Sequence, residues 1–334
     1  MGKKKNLLVT VGAGAVIFAV FVFGIGADTL VRMLSTSDPL YLLAAVAFNM
    51  FNLLAFTATW RALVPVRVSF YKLFKLYMAG VFVNNLTPAF GAGGEPFKAV
   101  FLAKETKSSK SECFASVVAQ RMINMFPFVL IAVFGLVTLL TNENLKPMEV
   151  AVLIGSLTLS ISMFCIILYL YKRKDKMFAF ARAAAKLITY LFRLFRKGID
   201  PGAYSKKVEE SVSEFHNGLA GISSRRDSLF VAVSFSFLGW AFDVLAAYSV
   251  FIAIDYHISL SLLIVVYTIA MIAGMLPLLP GGLGVVDGAM ALLYISSGVP
   301  AGVAMLSTLT YRIIAYWLNT IIGALYLRDI GVGG

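Results

Sequence analysis

The chain has 334 residues, 60% of them hydrophobic and 14% charged, with 29 basic against 17 acidic side chains and a formal net charge of +12. That balance excludes a soluble domain, which carries about 25% charged residues, and it also excludes the disordered and disulfide-stapled classes. The solvent is expected to be largely lipid.

In chain order, Lys3 to Lys5 precede an apolar run, Leu7 to Gly26. The run exceeds the 7 to 15 residues usual for a signal peptide and reads as an uncleaved first span. Asn6 stands where the myristoylation pattern needs Ser or Thr. Further full spans are expected over 39–60, 112–140, 149–171, 228–253 and 303–327, which makes six. Two other apolar regions, 73–104 and 259–297, are interrupted by Pro and Gly, which remove backbone hydrogen bonds and favour non-helical dihedrals. Each is expected to be two half-length helices. Cys113 and Cys165 lie in apolar runs, and no CxxC or His/Cys metal spacing occurs. No cofactor or metal is expected.

The basic segments are Lys3 to Lys5, Arg61 to Lys75, Lys98 to Lys110, the loop 172–227 and Arg328, whereas 27–38, 141–148 and 254–258 are not basic. The positive-inside rule then puts both termini in the cytoplasm of a cell-membrane protein. The first broken region begins and ends inside and the second begins and ends outside, so both turn back near the midplane.

Their landmarks repeat. Pro88 and Glu95 are seven apart, as are Pro280 and Asp287, and the next span carries Arg121 in one half and Arg312 in the other. Offsets of 192 for the prolines and acids and 191 for the arginines follow from these numbers. The fold class expected is an all-α integral membrane protein with six full transmembrane helices and two re-entrant helical hairpins arranged as inverted repeats. The parts are a first span and external loop (1–38), repeat 1 (39–140), a connecting span (141–171), a basic cytoplasmic loop (172–227), repeat 2 (228–327) and a short tail (328–334). The competing reading is that Pro and Gly merely kink ordinary spans.

The hairpin breakers are Pro88 and Pro96 in the first segment and Pro277 and Pro280 in the second. Gly93 and Gly94, and Gly281, Gly282 and Gly284, would let a ligand approach helix N-termini that attract anions. Arg121 and Arg312 lie inside spans, where they need a partner or a polar cavity, and Glu95 and Asp287 are the obvious partners. Two readings stay open. The ion pairs either pin each hairpin to its neighbour, or they belong to a site for an anionic head group, for which the arginine fork is suited. Asn84, Asn85, Thr87, Lys98, Asn124 and Tyr311 complete the candidate set, with Gln120 near the same landmarks. Asp243 and Trp240 are a weaker case, and His216 and His257 lie outside the spans. In the loop, Phe178, Phe180, Ile188, Leu191, Phe192 and Phe195 alternate with Arg182, Lys186, Arg193, Arg196 and Lys197, as in a basic amphipathic helix on an anionic leaflet rather than a nucleic-acid-binding segment.

At Asn84 to Lys98, Gln120-Arg121, Leu279 to Val285 with Asp287-Gly288, and Tyr311-Arg312, the chain resembles the lysylphosphatidylglycerol synthase transmembrane-region family, also described as flippase-like. The resemblance implies movement of an anionic lipid, of phospholipid or polyprenyl phosphate type, between leaflets. It also implies that a separate lipid-modifying or glycosyl-transferring enzyme is a candidate partner beside anionic lipid and the membrane. The sequence ends at Gly334 without a soluble aminoacyl-transferring domain, so lipid aminoacylation is not expected of this polypeptide. Gln120 occupies a family position that often bears an acid. The leading expectation is a lipid transporter rather than an enzyme. Alternatives are a transporter of a small soluble anion or ion, a membrane enzyme acting on lipid phosphates, and a non-transporting scaffold.

Overall fold

A computed structural model of the chain describes residues 35–87, 93–141, scattered positions between 151 and 183, 201–274 and 280–332. The expected first span at 7–26, Pro88, Pro277, most of the span 149–171 and most of the amphipathic stretch 177–197 fall outside the described residues. Among the described residues there are helices and no strands.

The helices are α1 (Pro39–Leu63), α2 (Phe70–Leu86), α3 (Gly94–Thr106), α4 (Lys110–Leu140), α5 (Pro201–Ser223), α6 (Arg226–Ala253), α7 (Leu260–Gly274), α8 (Val285–Ser296), α9 (Ala301–Arg312) and α10 (Asn319–Val332). Pro39–Leu63, Lys110–Gly135 and Arg226–Ala253 are long and apolar enough to cross a membrane. A π-helical segment, Ile313–Leu318, joins α9 to α10. Its flanking residues keep right-handed helical dihedrals (Arg312 φ −67°, ψ −33°; Asn319 φ −63°, ψ −37°), so Ala301 to Val332 is one continuous rod. The wider π turn exposes the Ile314 carbonyl, and Asn49 of α1 donates to it at 3.4 Å. Asn49 and Asn319 also exchange amide hydrogen bonds of 2.9 and 3.1 Å, which locks α1 to this rod.

Both broken regions are broken as the prolines and glycines predict. α2 stops at Leu86 and α3 begins at Gly94; α7 stops at Gly274, a single 3₁₀ turn covers Pro280–Gly282, and α8 begins at Val285. With 17, 13, 15 and 12 residues, these helices span about 26, 20, 22 and 18 Å at 1.5 Å per residue, less than a hydrocarbon core of about 30 Å. α2 and α3 run antiparallel: Lys72 pairs with Glu105 at one end, and at the other Asn84 Oδ1 accepts the Gly94 N–H at 2.6 Å. Their approach depends on Gly80, where a Cβ would lie 2.6 Å from Lys98 Cγ, so glycine leaves room for the lysine stem.

Ser69 caps α2 by accepting from the Lys72 N–H, and Asp38 caps α1 by accepting from Leu40 with Pro39 following. Among the described residues, the largest core cluster joins α6, α7, α8 and α9 through Phe251, Leu263, Tyr267, Met290, Tyr294 and Tyr311. A second joins α1, α2, α3 and α4 through Trp60, Leu73, Leu102 and Val117.

Candidate functional site

The acid of each segment lies in the first turn of its returning helix, and each meets the arginine expected for it. Glu95 Oε1 accepts from Arg121 Nη1 at 3.3 Å, and Asp287 Oδ1 accepts from Arg312 Nε at 2.9 Å. The surroundings of the two pairs differ.

Around Glu95 there is a cavity of about 110 Å³ between α2, α3 and α4. Its polar lining is Asn84, Glu95, Lys98, Gln120, Arg121 and Asn124, with Tyr77, Val81 and Val117 as the remaining wall. The Lys98 ammonium lies 2.5 Å from Glu95 Oε2, so one carboxylate faces two cations. Lys98 also sits over the rings of Trp60 (5.5 Å) and Tyr77 (5.3 Å), whose π faces favour a desolvated cation. Its side chain is only 6% exposed, whereas that of Arg121 is 33% exposed. The cavity therefore has one buried, fixed cation and one that reaches its open side. Gln120 turns back to donate to the Phe56 carbonyl at 2.7 Å. Asn124 Oδ1 accepts from Ser236 and its carbonyl accepts from Trp240 Nε1 at 2.7 Å, so α6 holds the far wall.

Asp287 and Arg312 are closed in. Their side chains are 6% and 8% exposed, Asp287 Oδ2 accepts the Gly284 N–H at 2.7 Å, and Arg312 also donates to the Gly281 carbonyl at 3.4 Å. The guanidinium lies 4.4 Å from the centre of the Tyr316 ring. The Tyr316 hydroxyl donates to the Asn85 carbonyl at 3.0 Å, and Asn85 Nδ2 donates to Thr320 at 2.7 Å. The two broken segments thus meet, and they do so at Asn85, Gly281 and Tyr316.

Of the candidate residues, the structure brings Asn84, Glu95, Lys98, Arg121 and Asn124 to one cavity. It places Asp287, Arg312, Gly281, Gly282 and Gly284 in the second cluster, and Asn85 at the bridge to it. Thr87 bonds to the Val83 carbonyl at the end of α2 and packs beside Gly93. Pro96 stands in the first turn of α3 and Pro280 in the 3₁₀ turn. Tyr311 lies elsewhere: with Tyr267 it donates to Asp243, at 2.9 and 2.5 Å. The expectation that helix N-termini would offer free N–H groups is modified at both ends, because Asn84 takes the Gly94 N–H and Asp287 takes the Gly284 N–H. Sequence reasoning missed Trp60, Tyr77 and Tyr316, whose part is to lie under a cation. An aromatic residue in an apolar helix carries no local sign of that.

The family described as the lysylphosphatidylglycerol synthase TM region matches residues 7–323. Among relatives, a UPF0104 membrane protein of Methanothermobacter thermautotrophicus is 31% identical, over 99% of this chain and 97% of its own length. One of Pyrococcus horikoshii is 26% identical over 96% of each chain, and one of Methanocaldococcus jannaschii is 27% identical over 90% of this chain and 87% of its own. With nearly its whole length matched, the chain belongs to the lysylphosphatidylglycerol synthase TM region family.

Proposed function

We propose that this protein moves an anionic lipid between the leaflets of the cell membrane, with the phosphate of the head group bound in the cavity at Lys98 and Arg121. The observation that carries the reading is a polar cavity with two cations and one acid, set between two short helices, α2 and α3, and the long α4. A cation at membrane depth is costly, and it is kept where it faces a partner, a pathway or a substrate. Arg121, the more exposed of the two, supplies the planar donor fork suited to phosphate, and Lys98 supplies a fixed point charge.

In this reading the hairpins α2–α3 and α7–α8 are re-entrant and enter from opposite faces, six helices span the membrane, and both termini are cytoplasmic. The head group occupies the cavity while its hydrocarbon tail stays in lipid. The family's name supports lipid as the cargo, since it describes the membrane region of a protein that works on a phospholipid. No catalytic group is assigned. The role of the polypeptide is to carry.

The test is leaflet translocation of an acyl-labelled phospholipid in proteoliposomes. Arg121→Gln removes a charge-assisted hydrogen bond of about 1.5–3 kcal/mol and is expected to slow translocation about 10-fold or more. Translocation at the unaltered rate would sink the reading. Stimulated uptake of inorganic phosphate, with no lipid movement, would show a soluble anion as cargo instead.

A further inference from the structure

We infer that Glu95 sets the charge of the cargo, so that the cavity accepts a singly charged anion, of phosphodiester type, in preference to a doubly charged phosphomonoester. The inference rests on the head-group site proposed above and concerns which anion that site selects.

Three charged groups line the cavity among the described residues: Glu95, Lys98 and Arg121. The fixed charge is therefore one negative and two positive, a surplus of one positive. The carboxylate is held at 2.5 Å by Lys98 and 3.3 Å by Arg121, and it is buried, so it accompanies the cations whatever else enters. Removing charge from water is expensive unless it is matched, and the cost rises with the residual charge left behind. A monoanion brings the occupied cavity to neutrality. A phosphomonoester, with about −1.5 to −2 charges at neutral pH, overshoots it.

Charge-changing variants test the count. Acyl-labelled phosphatidylglycerol, phosphatidic acid and phosphatidylethanolamine are compared for translocation in proteoliposomes made with the full-length protein, each variant checked by size-exclusion profile. The unaltered protein is expected to move phosphatidylglycerol about 10-fold faster than phosphatidic acid, corresponding to about 1.4 kcal/mol of discrimination. Glu95→Gln raises the surplus to two and reverses the preference. Lys98→Gln lowers it to zero and favours the net-neutral phosphatidylethanolamine over both anions. The double variant Glu95→Gln/Lys98→Gln leaves Arg121 alone, returns the surplus to one and restores the original order.

If Glu95→Gln does not fold, the opposite shift in Lys98→Gln carries the test. The same lipid order in every folded variant, while Arg121→Gln still loses transport, overturns the charge rule and leaves the site standing. Loss of effect in Arg121→Gln as well overturns the site itself.

Discussion

The two broken segments carry the same landmarks, a proline, an acid seven residues on and an arginine on the next helix, yet one acid–arginine pair lines a cavity and the other is buried. The same offsets show why. Moving 192 residues on carries Lys98 onto Met290 and Asn84 onto Leu276, and moving 191 on carries Asn124 onto Ala315. Every polar neighbour of Glu95 except its arginine and Gln120 thus meets an apolar residue in the second half, and Gln120 meets Tyr311. Asp287 and Arg312 then form a pair whose charges cancel, completed by the Gly284 N–H, the Gly281 carbonyl and the Tyr316 ring. An acid clamped to an arginine of a following helix thus occurs twice. Among the described residues, the polar groups gathered around Glu95 line open space, whereas Asp287 and Arg312 are buried against their own partners.

The largest effect should come from splitting the buried pair. Arg312→Met leaves Asp287 buried without its cation, at a cost of about 3–5 kcal/mol, which should appear as a marked drop in the thermal midpoint in detergent. The double variant Asp287→Leu/Arg312→Met is expected to recover most of that loss and to keep transport, because neither residue lines the cavity. At the open pair, Glu95→Leu/Arg121→Met should fold and fail to transport. Equal behaviour of the two double variants would show that the halves do not differ in role.

Next in size is the place where the segments touch. Gly281 has φ +60°, and a Cβ there would lie 3.0 Å from the Asn85 carbonyl oxygen and against the Tyr316 ring. Gly281→Ala should cost about 1–3 kcal/mol through backbone strain, with a further penalty from that contact. Asn84→Ala removes the acceptor of the Gly94 N–H and should cost about 1 kcal/mol. Asn84→Asp keeps the acceptor but cancels the surplus positive charge, so stability should hold while anion transport falls. Thermal midpoints and translocation rates on the same preparations separate the two.

How much of this the sequence reveals depends on how far a residue's partner can be inferred from its own chemistry. An arginine in an apolar helix must find an acid, so Glu95–Arg121 and Asp287–Arg312 were legible from spacing alone. Pro and Gly likewise announced that α2 and α7 would stop short. The cavity was not legible as one-sided, because the landmarks that repeat, proline, acid and arginine, are the same in both segments and the difference lies in the neighbours brought in by packing. Nor was the Asn49–Asn319 lock, since asparagines 270 apart acquire meaning only once α1 lies against the π-helical turn. Tyr311 looked like a neighbour of Arg312, but successive residues on a helix point about 100° apart, and Tyr311 faces Asp243 instead.

The smallest effect is expected where the halves are joined at the charged ends of α2 and α10. Lys75 pairs with Asp329 at 3.2 Å and lies over the rings of Tyr71 and Tyr326. Lys75 and Asp329 are 24% and 51% exposed, so water and salt screen the pair. The same two helices also pack through Gly323, where a Cβ would lie 2.8 Å from Phe82 Cβ, a contact that screening does not weaken. Asp329→Asn should therefore leave the thermal midpoint within error at moderate salt, whereas Gly323→Val should lower it clearly. If Asp329→Asn proved the more damaging of the two, the halves would be held together by charge at their ends rather than by close packing of α2 on α10.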